Sequence, residues 1–412
     1  WMIRSEMMKK VKIFLKIVLF FAVFIGGQAG IKYAILDDTM TISRVMLHDL
    51  YTEKENIDIL FCGASHCQLG FDTAVLDEAF GQNTFNAGSS SQGLETSLAM
   101  IREAAAYHDL KQVYVDLDYA IVTRELPNLE SIYIISDYMK PSVRKAEYLL
   151  NATTSEYYVN SFMPLHKGRG YTRNPAEIVR IIGKKMKPGY RNYTDIDSSY
   201  AGKGYIASRT VIPDGSLWTT ETPEMKNFTI PDNQQQYLRE IISFCKENNI
   251  QLTFVSVPVT DFNMALVANY DDYVQTIKDF LAEYDIAYVD FNLARSQASG
   301  IDRDSYFNDD NHLNQDGARA FAQCFASYMK GNISDSELFY ASYEEKKQME
   351  EPRVLGVRIE KVGEDITAIP MVNNHSIVPQ CEVKRTEEGY LITVQADGKI
   401  TNQIEIKDEE LR

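Results

Sequence analysis

Cysteine is scarce and scattered in this chain of 412 residues. It occurs five times, and no two cysteines have the paired spacing of a disulfide framework or a zinc site. The cysteines are therefore expected to be small core side chains. The sequence also lacks internal repeats, Walker and G-x-G-x-x-G glycine motifs, and metal-ligand spacing. It predicts no cofactor and no metal.

Positive charge is in short supply as well. Lys and Arg number 42 against 58 Asp and Glu, which gives a formal net charge of −16. No basic stripe stands out to neutralise phosphates, so the sequence argues against nucleic acid or an anionic lipid surface as an electrostatic partner. Apolar residues are abundant: 45% of the chain is hydrophobic, enough to build one large or two ordinary domains.

The N-terminal region departs from this acidic balance. Basic residues precede an apolar stretch over residues 17–31, and Lys32 follows it. This length is close to what spans a bilayer core. Because the positive flank comes first, residues 1–36 are predicted to be a cytoplasmic tail and a single-pass anchor in the cell membrane, with the rest of the chain extracytoplasmic. A cleaved signal peptide is the competing interpretation, since the segment contains the small residues GGQAG.

From residue 57 onward, strand and helix patterns alternate. Strands are predicted at residues 57–62, 84–86, 112–117, 251–257 and 286–291. The helical patterns between them have apolar residues three and four positions apart. This alternation predicts an α/β fold, a flavodoxin-like three-layer α/β/α sandwich. Ligands of such sheets bind at the carboxyl ends of the strands.

Two regions interrupt or follow this pattern. An insertion at residues 120–231, rich in Tyr, Arg, Lys and Gly, falls within a domain predicted for residues 37–335. It is either a lid over the site or a helical subdomain with the tyrosines in its core. Residues 336–412 begin as a charged connector and continue as short alternating strands, which predicts a small antiparallel β domain.

Ser65 follows the first predicted strand, in the segment GASHCQLGFD at residues 63–72. A serine on such a turn presents its hydroxyl at the carboxyl end of a buried strand, beside backbone N–H groups that can hold an oxyanion. A base and a carboxylate must accompany a catalytic serine. Asp309 and His312 supply both in the segment FNDDNHLNQDGARAF at residues 307–321. The other histidines lack such local company.

These segments resemble the SGNH, or GDSL-like, hydrolase and acyltransferase superfamily. In that family the serine follows the first strand and a D-x-x-H sequence precedes the last helix. The segment FNAGSSSQGLE at residues 85–95 matches the family's glycine block, and the resemblance implies that the amides of Ser65 and Gly88 form the oxyanion hole. The resemblance covers roughly residues 55–330.

One family block is missing. The usual G-x-N-D sequence is absent, and KQVYVDLDYA offers Asp116 and Asp118 instead. An ionised aspartate cannot donate a hydrogen bond to an oxyanion, so the third donor is not assigned. His66, Asn86 and Asp118 are expected at the rim of the pocket. This variant is similar to the membrane-anchored branch that includes the teichoic-acid D-alanylation protein and the polysaccharide O-acetylation proteins.

The resemblance implies an exported serine esterase or O-acyltransferase with a Ser65–His312–Asp309 triad. Its partners would be an acylated polysaccharide or teichoic-acid-like polymer of the cell envelope, and a membrane acyltransferase. The alternative is a non-catalytic envelope protein that keeps the scaffold and binds a glycan or a partner. The missing asparagine block favours this alternative, whereas the joint presence of the serine, glycine, aspartate and histidine favours the enzyme.

Overall fold

The structure of the protein is a computed structural model that describes residues 2–163, 171–363, 365–396 and 398–411. Its contacts divide the chain into two units. One consists of Trp1–His48 and Pro127–Ser198, and the other of Asp49–Leu126 and Ser199–Arg412. These units do not follow the chain order of the predicted domains, which remain a prediction.

The chain is a mixed α/β protein. The strands are β1 (Ile59–Cys62), β2 (Thr84–Asn86), β3 (Gln112–Asp116), β4 (Tyr200–Gly202), β5 (Tyr205–Ile206), β6 (Leu217–Thr219), β7 (Gln251–Ser256), β8 (Ala287–Asp290), β9 (Val354–Val362), β10 (Asp365–Val372), β11 (Gln380–Arg385), β12 (Gly389–Ala396) and β13 (Lys399–Lys407). The helices are α1 (Met2–Ile35), α2 (Ile42–Thr52), α3 (Ser65–Gly70), α4 (Thr73–Phe80), α5 (Leu94–Ala105), α6 (Tyr119–Val122), α7 (Leu129–Ser136), α8 (Val143–Ala152), α9 (Tyr158–Phe162), α10 (Pro175–Lys185), α11 (Pro188–Arg191), α12 (Asp232–Glu247), α13 (Asp261–Met264), α14 (Tyr270–Ala282), α15 (Ser296–Ser299), α16 (Gln315–Met329), α17 (Asp335–Leu338) and α18 (Tyr343–Met349). Short 3-10 turns occur at Ser155–Tyr157, Phe291–Leu293 and Asp304–Tyr306.

A five-stranded sheet organises the second unit. Its strand order is β2-β1-β3-β7-β8, and every neighbouring pair is parallel. Counting only these strands, the order is 2-1-3-4-5, which is that of a doubly wound sheet. All five strands lie within the predicted segments. β1 is buried at every residue, as expected for a parallel strand covered on both faces.

Helices cover this sheet. Phe61 of β1 packs against Phe71 and Phe325, with ring centroids 4.2 and 5.8 Å apart, in a core to which α3, α4 and α16 contribute. α5 and α12 contact each other and the strands β1 and β7. Leu238, Ile241, Ile242 and Cys245 of α12 are buried, at the helical spacing that the sequence predicted. The sheet and these helices hold the loops at the carboxyl ends of the strands.

The C-terminal strands form two small sheets. β11, β12 and β13 are antiparallel, and β9 pairs antiparallel with β10. A core of aliphatic side chains joins them, including Val357, Ile392 and Ile406. The expectation of a purely antiparallel unit from residues 336–412 needs correction, because β6 from residues 217–219 adds to β9 in parallel. A three-residue strand is too short to show the alternation that predicts strands.

The other unit is helical where the structure describes it. It contains α1 and, from the predicted insertion, α7 to α11, while residues 164–170 of the insertion lie outside the described residues. Tyr133 and Tyr148 are buried here, which agrees with the core role considered for the tyrosines. Within α1, the segment Glu6–Ile35 is long and apolar enough to cross a membrane. A signal sequence has the same properties.

Candidate active site

Ser65 begins helix α3, three residues after the last residue of β1. The turn is tight, because a Cβ on Gly63 would lie 2.6 Å from Cβ of Asp116 and 2.9 Å from Cβ of Cys67. Only glycine fits so close an approach. The first amides of a helix have no intrahelical acceptor. Ser65 therefore has its hydroxyl, and an N–H without an intrahelical acceptor, at the carboxyl end of the sheet.

The loop that holds Asp309 and His312 is fixed at both ends. Phe307 and Leu313 form a β-bridge across its base. Asn314 caps α16, because its Oδ1 accepts hydrogen bonds from the amides of residues 316 and 317. Inside the loop, Oδ1 of Asp309 accepts the N–H of Asn311 at 3.0 Å and of His312 at 2.8 Å. The carboxylate and the imidazole are thus held by one local turn.

The structure brings Ser65, His312 and Asp309 together. Nε2 of His312 lies 2.7 Å from Oγ of Ser65. Nδ1 of His312 lies 2.9 Å from each carboxylate oxygen of Asp309. This is the geometry in which an imidazole can remove the serine proton while a carboxylate fixes its orientation.

The electrostatics of Asp309 suit this geometry. Burial alone would raise the pKa of its carboxyl group, but hydrogen bonds from the His312 side chain and from the loop amides outweigh burial and lower it. Asp309 is therefore ionised at neutral pH. A negative charge beside Nδ1 stabilises the imidazolium that forms when His312 takes a proton.

Gly88 lies against the first turn of α3. A Cβ at Gly88 would be 2.8 Å from the amide nitrogen of Gln68 and 3.1 Å from Sγ of Cys67. The N–H of Gly88, an expected oxyanion donor, donates to Oδ1 of Asn86 at 3.0 Å. Among the described residues, the N–H of Ser65 donates to no group. The two amides expected to form the oxyanion hole therefore differ. The N–H of Gly88 already donates a hydrogen bond, whereas the N–H of Ser65 does not among the described residues.

Asn86 does not lie at the pocket rim, which corrects the prediction. It is fully buried, and its Nδ2 donates to the carbonyl oxygens of Cys67 at 2.8 Å and Phe71 at 3.2 Å. These bonds hold the C-terminal end of α3, where the carbonyl oxygen of Cys67 also accepts the N–H of Phe71. Asn86 thus supports the helix that carries Ser65. The spacing of residues in the sequence does not reveal that a side chain makes such hydrogen bonds.

His66 and Asp118 form a second histidine–aspartate pair. Nδ1 of His66 lies 3.1 Å from Oδ2 of Asp118, and the His66 ring centroid is 5.1 Å from that of His312. Burial lowers the pKa of His66, against the opposite effect of the Asp118 charge. Asp118 also caps α6 by accepting the amide of Ala120 at 2.7 Å. The sequence expected both residues at the rim; it did not predict that they pair with each other.

Asp116 lies below the turn that carries Ser65. It is buried, and Oδ1 accepts the N–H of Val257 at 3.0 Å. Burial raises the pKa of this carboxyl group well above its usual range, and the nearby Asp118 adds to the shift. The sequence treated Asp116 as an ionised acceptor, whereas this environment favours the protonated form.

A cavity of about 500 Å³ adjoins Asp309. Its lining combines aromatic, basic and acidic side chains from separate segments: Tyr119, Trp218, Glu221, Lys226, Asn308 and Asp310. None of these was among the site residues predicted from the sequence. Their separation along the chain left no local signal.

No family model and no curated protein matches the sequence. Solved structures with similar coordinates include a protein from Streptococcus pneumonia described as a candidate platelet activating factor, at 12% identity and a TM-score of 0.35, covering 76% of this chain and 98% of that one. A candidate acylhydrolase from Bacteroides fragilis matches at 9% identity and a TM-score of 0.31, covering 69% and 94%. A candidate GDSL-like lipase from Parabacteroides merdae matches at 13% identity and a TM-score of 0.31, covering 69% and 99%.

Proposed function

We propose that this chain is a membrane-anchored serine esterase or O-acyltransferase of the SGNH type, on a flavodoxin-like sandwich, that acts outside the cytoplasm on an acylated cell-envelope polymer. The observation that carries the proposal is the contact of 2.7 Å between Ser65 Oγ and His312 Nε2, with Asp309 on the far side of the imidazole. A hydroxyl, a base and a carboxylate in this order are the minimum set for acyl transfer through a serine.

The proposed reaction has two halves. Ser65 Oγ attacks the ester carbonyl carbon while His312 Nε2 takes the hydroxyl proton. The tetrahedral intermediate then expels the alcohol, which receives that proton, and the acyl group stays on Ser65. In the second half, water or a sugar hydroxyl gives its proton to His312 while its oxygen attacks the acyl carbon. The second tetrahedral intermediate then breaks the bond to Ser65 Oγ, which takes the proton back from His312. Release of free acid makes the protein an esterase, and transfer to a hydroxyl makes it an acyltransferase.

The N–H of Ser65 is the main proposed hydrogen-bond donor to the oxyanion. The N–H of Gly88 can contribute only by sharing or leaving its bond to Asn86. One well-placed donor typically lowers the barrier by about 3 kcal/mol. The hydrogen bond of the Gly88 amide to Asn86 is therefore the observation that favours the second candidate, a non-catalytic protein that binds an envelope glycan or partner.

The class of substrate is proposed from two features. Aromatic and charged side chains meet in the cavity beside Asp309, and Tyr119, Trp218 and Lys226 could contact a sugar ring and its anionic substituents. The apolar segment Glu6–Ile35 would keep the enzyme at the envelope. A membrane acyltransferase that supplies the acyl group is the partner that fits a transferase.

Labelling with a serine-reactive fluorophosphonate tests the proposal. The intact protein is expected to form an adduct that mass spectrometry locates on Ser65. Ser65→Ala should abolish labelling, and Ser299→Ala, on a different helix of the same unit, should not. A protein that forms no adduct and no acyl-enzyme with a range of esters, yet binds an envelope glycan equally well as wild type and as Ser65→Ala, is the binding protein instead.

Topology has its own test. Protease added outside intact cells is expected to digest the region after Lys32, and detergent should be needed to solubilise the full chain. Protection from that protease, or release of the intact chain without detergent, would contradict the anchored and exported arrangement.

A further inference from the structure

The unit formed by Trp1–His48 and Pro127–Ser198 holds a cavity of about 300 Å³. Basic side chains predominate in its lining, with four cationic residues against two acidic ones. The charged lining residues are Lys32, Arg44, Lys185, Arg191, Asp38 and Asp137. This local excess of positive charge contrasts with the net charge of −16 of the whole chain.

Arg44 is the unusual member of this lining. Only 6% of the residue is exposed, and its guanidinium lies over the ring of Tyr190, 4.1 Å from the ring centroid, and near Tyr193, at 4.7 Å. Nη1 donates to the carbonyl oxygen of Tyr190 at 3.1 Å. Nε and Nη2 are buried and have no hydrogen-bond acceptor among the described residues. Together they form one edge of the guanidinium, the edge that grips phosphate or carboxylate with two parallel bonds.

The acidic residues of the cavity already form ion pairs with lysines. Nζ of Lys185 lies 2.6 Å from Asp38 and donates to two carbonyl oxygens at the end of α1. Nζ of Lys32 lies 3.2 Å from Asp137. A buried cationic donor without an acceptor is costly. An anionic ligand is the simplest acceptor for the open edge of Arg44.

The backbone around Arg44 is also specialised. Tyr193 has a φ of 59°, in the left-handed region that residues with a side chain rarely adopt. The ring of His48 stacks on Tyr193 with 3.7 Å between centroids. Conformations of this kind persist where surrounding contacts enforce them, often at ligand sites. The tyrosines that hold the guanidinium plane are thus fixed in place.

Position along the chain indicates the source of the ligand. Ala29, Lys32 and Tyr33, in the last turns of α1, line the cavity, and they belong to the segment Glu6–Ile35 that is long enough to span a membrane. We propose that this cavity binds the phosphate of an anionic membrane-lipid headgroup, held bidentately by Nε and Nη2 of Arg44. The inference rests on the proposed membrane anchor, and it is independent of any catalytic role for Ser65.

The test uses the full chain in neutral detergent micelles, to which phosphatidylglycerol, phosphatidylcholine or inorganic phosphate is added. Thermal unfolding followed by circular dichroism and native mass spectrometry report binding, since a ligand of the folded state raises its melting temperature. Phosphatidylglycerol is expected to raise the melting temperature most and to give retained adducts. Arg44→Gln should weaken its binding at least tenfold. Arg180→Gln is the matched control, because Arg180 pairs with Asp37 and Glu177 on the same unit and does not line the cavity; it should change binding less than twofold.

Three results would overturn the proposal. The first is that Arg180→Gln weakens binding as much as Arg44→Gln does. The second is that phosphatidylcholine binds as tightly as phosphatidylglycerol. The third is that inorganic phosphate raises the melting temperature as much as the lipid does. If Arg44→Gln does not fold, Arg44→Lys replaces it, because lysine keeps the charge and lacks the two-pronged edge. Arg44→Lys should also bind phosphatidylglycerol at least tenfold more weakly than wild type. Wild-type affinity in this variant would contradict the bidentate site. Binding in micelles is separate from anchoring, so failure of the topology experiment would not produce any of these results.

Discussion

Two histidine–aspartate pairs lie beside Ser65, and they are built in different ways. In one, Asp309 and His312 belong to a single turn, and the imidazole contacts both carboxylate oxygens at 2.9 Å and the serine hydroxyl at 2.7 Å. In the other, His66 on α3 meets Asp118 after β3, 52 positions later in the sequence, at 3.1 Å. His312 faces the serine, whereas His66 pairs with Asp118.

Burial separates the two pairs as well. The Asp309 side chain is 46% exposed and His312 is 21% exposed, while His66 and Asp118 are 9% and 13% exposed. A base must exchange protons with substrate and solvent, so partial exposure suits His312. Burial lowers the pKa of His66 and favours its neutral form. The comparison therefore supports the proposal that His312 is the base, and it favours a positioning role for His66 and Asp118 at the first turn of α3.

The largest expected effect comes from the residues that contact each other at the proposed reaction centre. Ser65→Ala and His312→Ala should each lower kcat for an activated acyl ester by about a thousandfold or more, and the double variant should be little worse than either single one, because residues that act as one unit are strongly non-additive. Steady-state kinetics on the purified chain measure this. Additive losses, or a single variant that keeps more than a tenth of wild-type kcat, would contradict the assignment.

Asp309→Asn is expected to have the next largest effect, roughly a hundredfold to ten-thousandfold in kcat. The amide keeps the size of the carboxylate, but it cannot stabilise the imidazolium and can hold the wrong tautomer of His312. Asp310→Asn is a matched control for kcat, since Asp310 is the neighbouring carboxylate and accepts a hydrogen bond from Asn263 instead; because Asp310 lines the cavity, any contribution to substrate binding should appear in KM. Its kcat should stay within a few-fold of wild type. Equal losses in the two variants would show that the loop, and not the charge beside Nδ1, matters.

These pairs also show what the sequence could reveal. Asp309 and His312 are three residues apart before an N-capped helix, so their meeting follows from local chemistry, and the strand positions follow from apolar runs. The approach of His66 to Asp118 depends on the neighbouring strands β1 and β3, which bring distant turns together. The burial of Asn86 and the addition of β6 to β9 have the same origin. Each depends on three-dimensional neighbours that no single segment encodes.

The second pair is expected to have a smaller effect on catalysis and a larger one on stability. His66→Ala and Asp118→Asn should each lower kcat about tenfold or less, while fluorophosphonate still labels Ser65. Loss of a buried hydrogen-bond partner should lower the free energy of unfolding by about 1–3 kcal/mol. Denaturant titration and kinetics on the same preparations separate the two effects. If His66→Ala lowers kcat as much as His312→Ala does, His66 is part of the catalytic machinery and the distinction between the pairs is wrong.

The smallest expected effect concerns Asp116, below the turn between the two pairs, and it appears as a pH dependence of stability. Burial raises the folded-state pKa of Asp116 well above the usual value, so between those two values the folded state binds more protons than the unfolded state. The stabilisation from this group is full below the unfolded pKa and is lost as the pH rises through the folded pKa. An asparagine side chain cannot ionise, so in Asp116→Asn the free energy of unfolding should change less between pH 4 and pH 8 than in wild type. Any constant offset caused by the amide would be the same at both pH values and would not affect this comparison. Denaturant titrations at several pH values measure the difference, and a wild-type slope that persists in Asp116→Asn would mean that Asp116 is ionised in the folded protein, as the sequence first suggested.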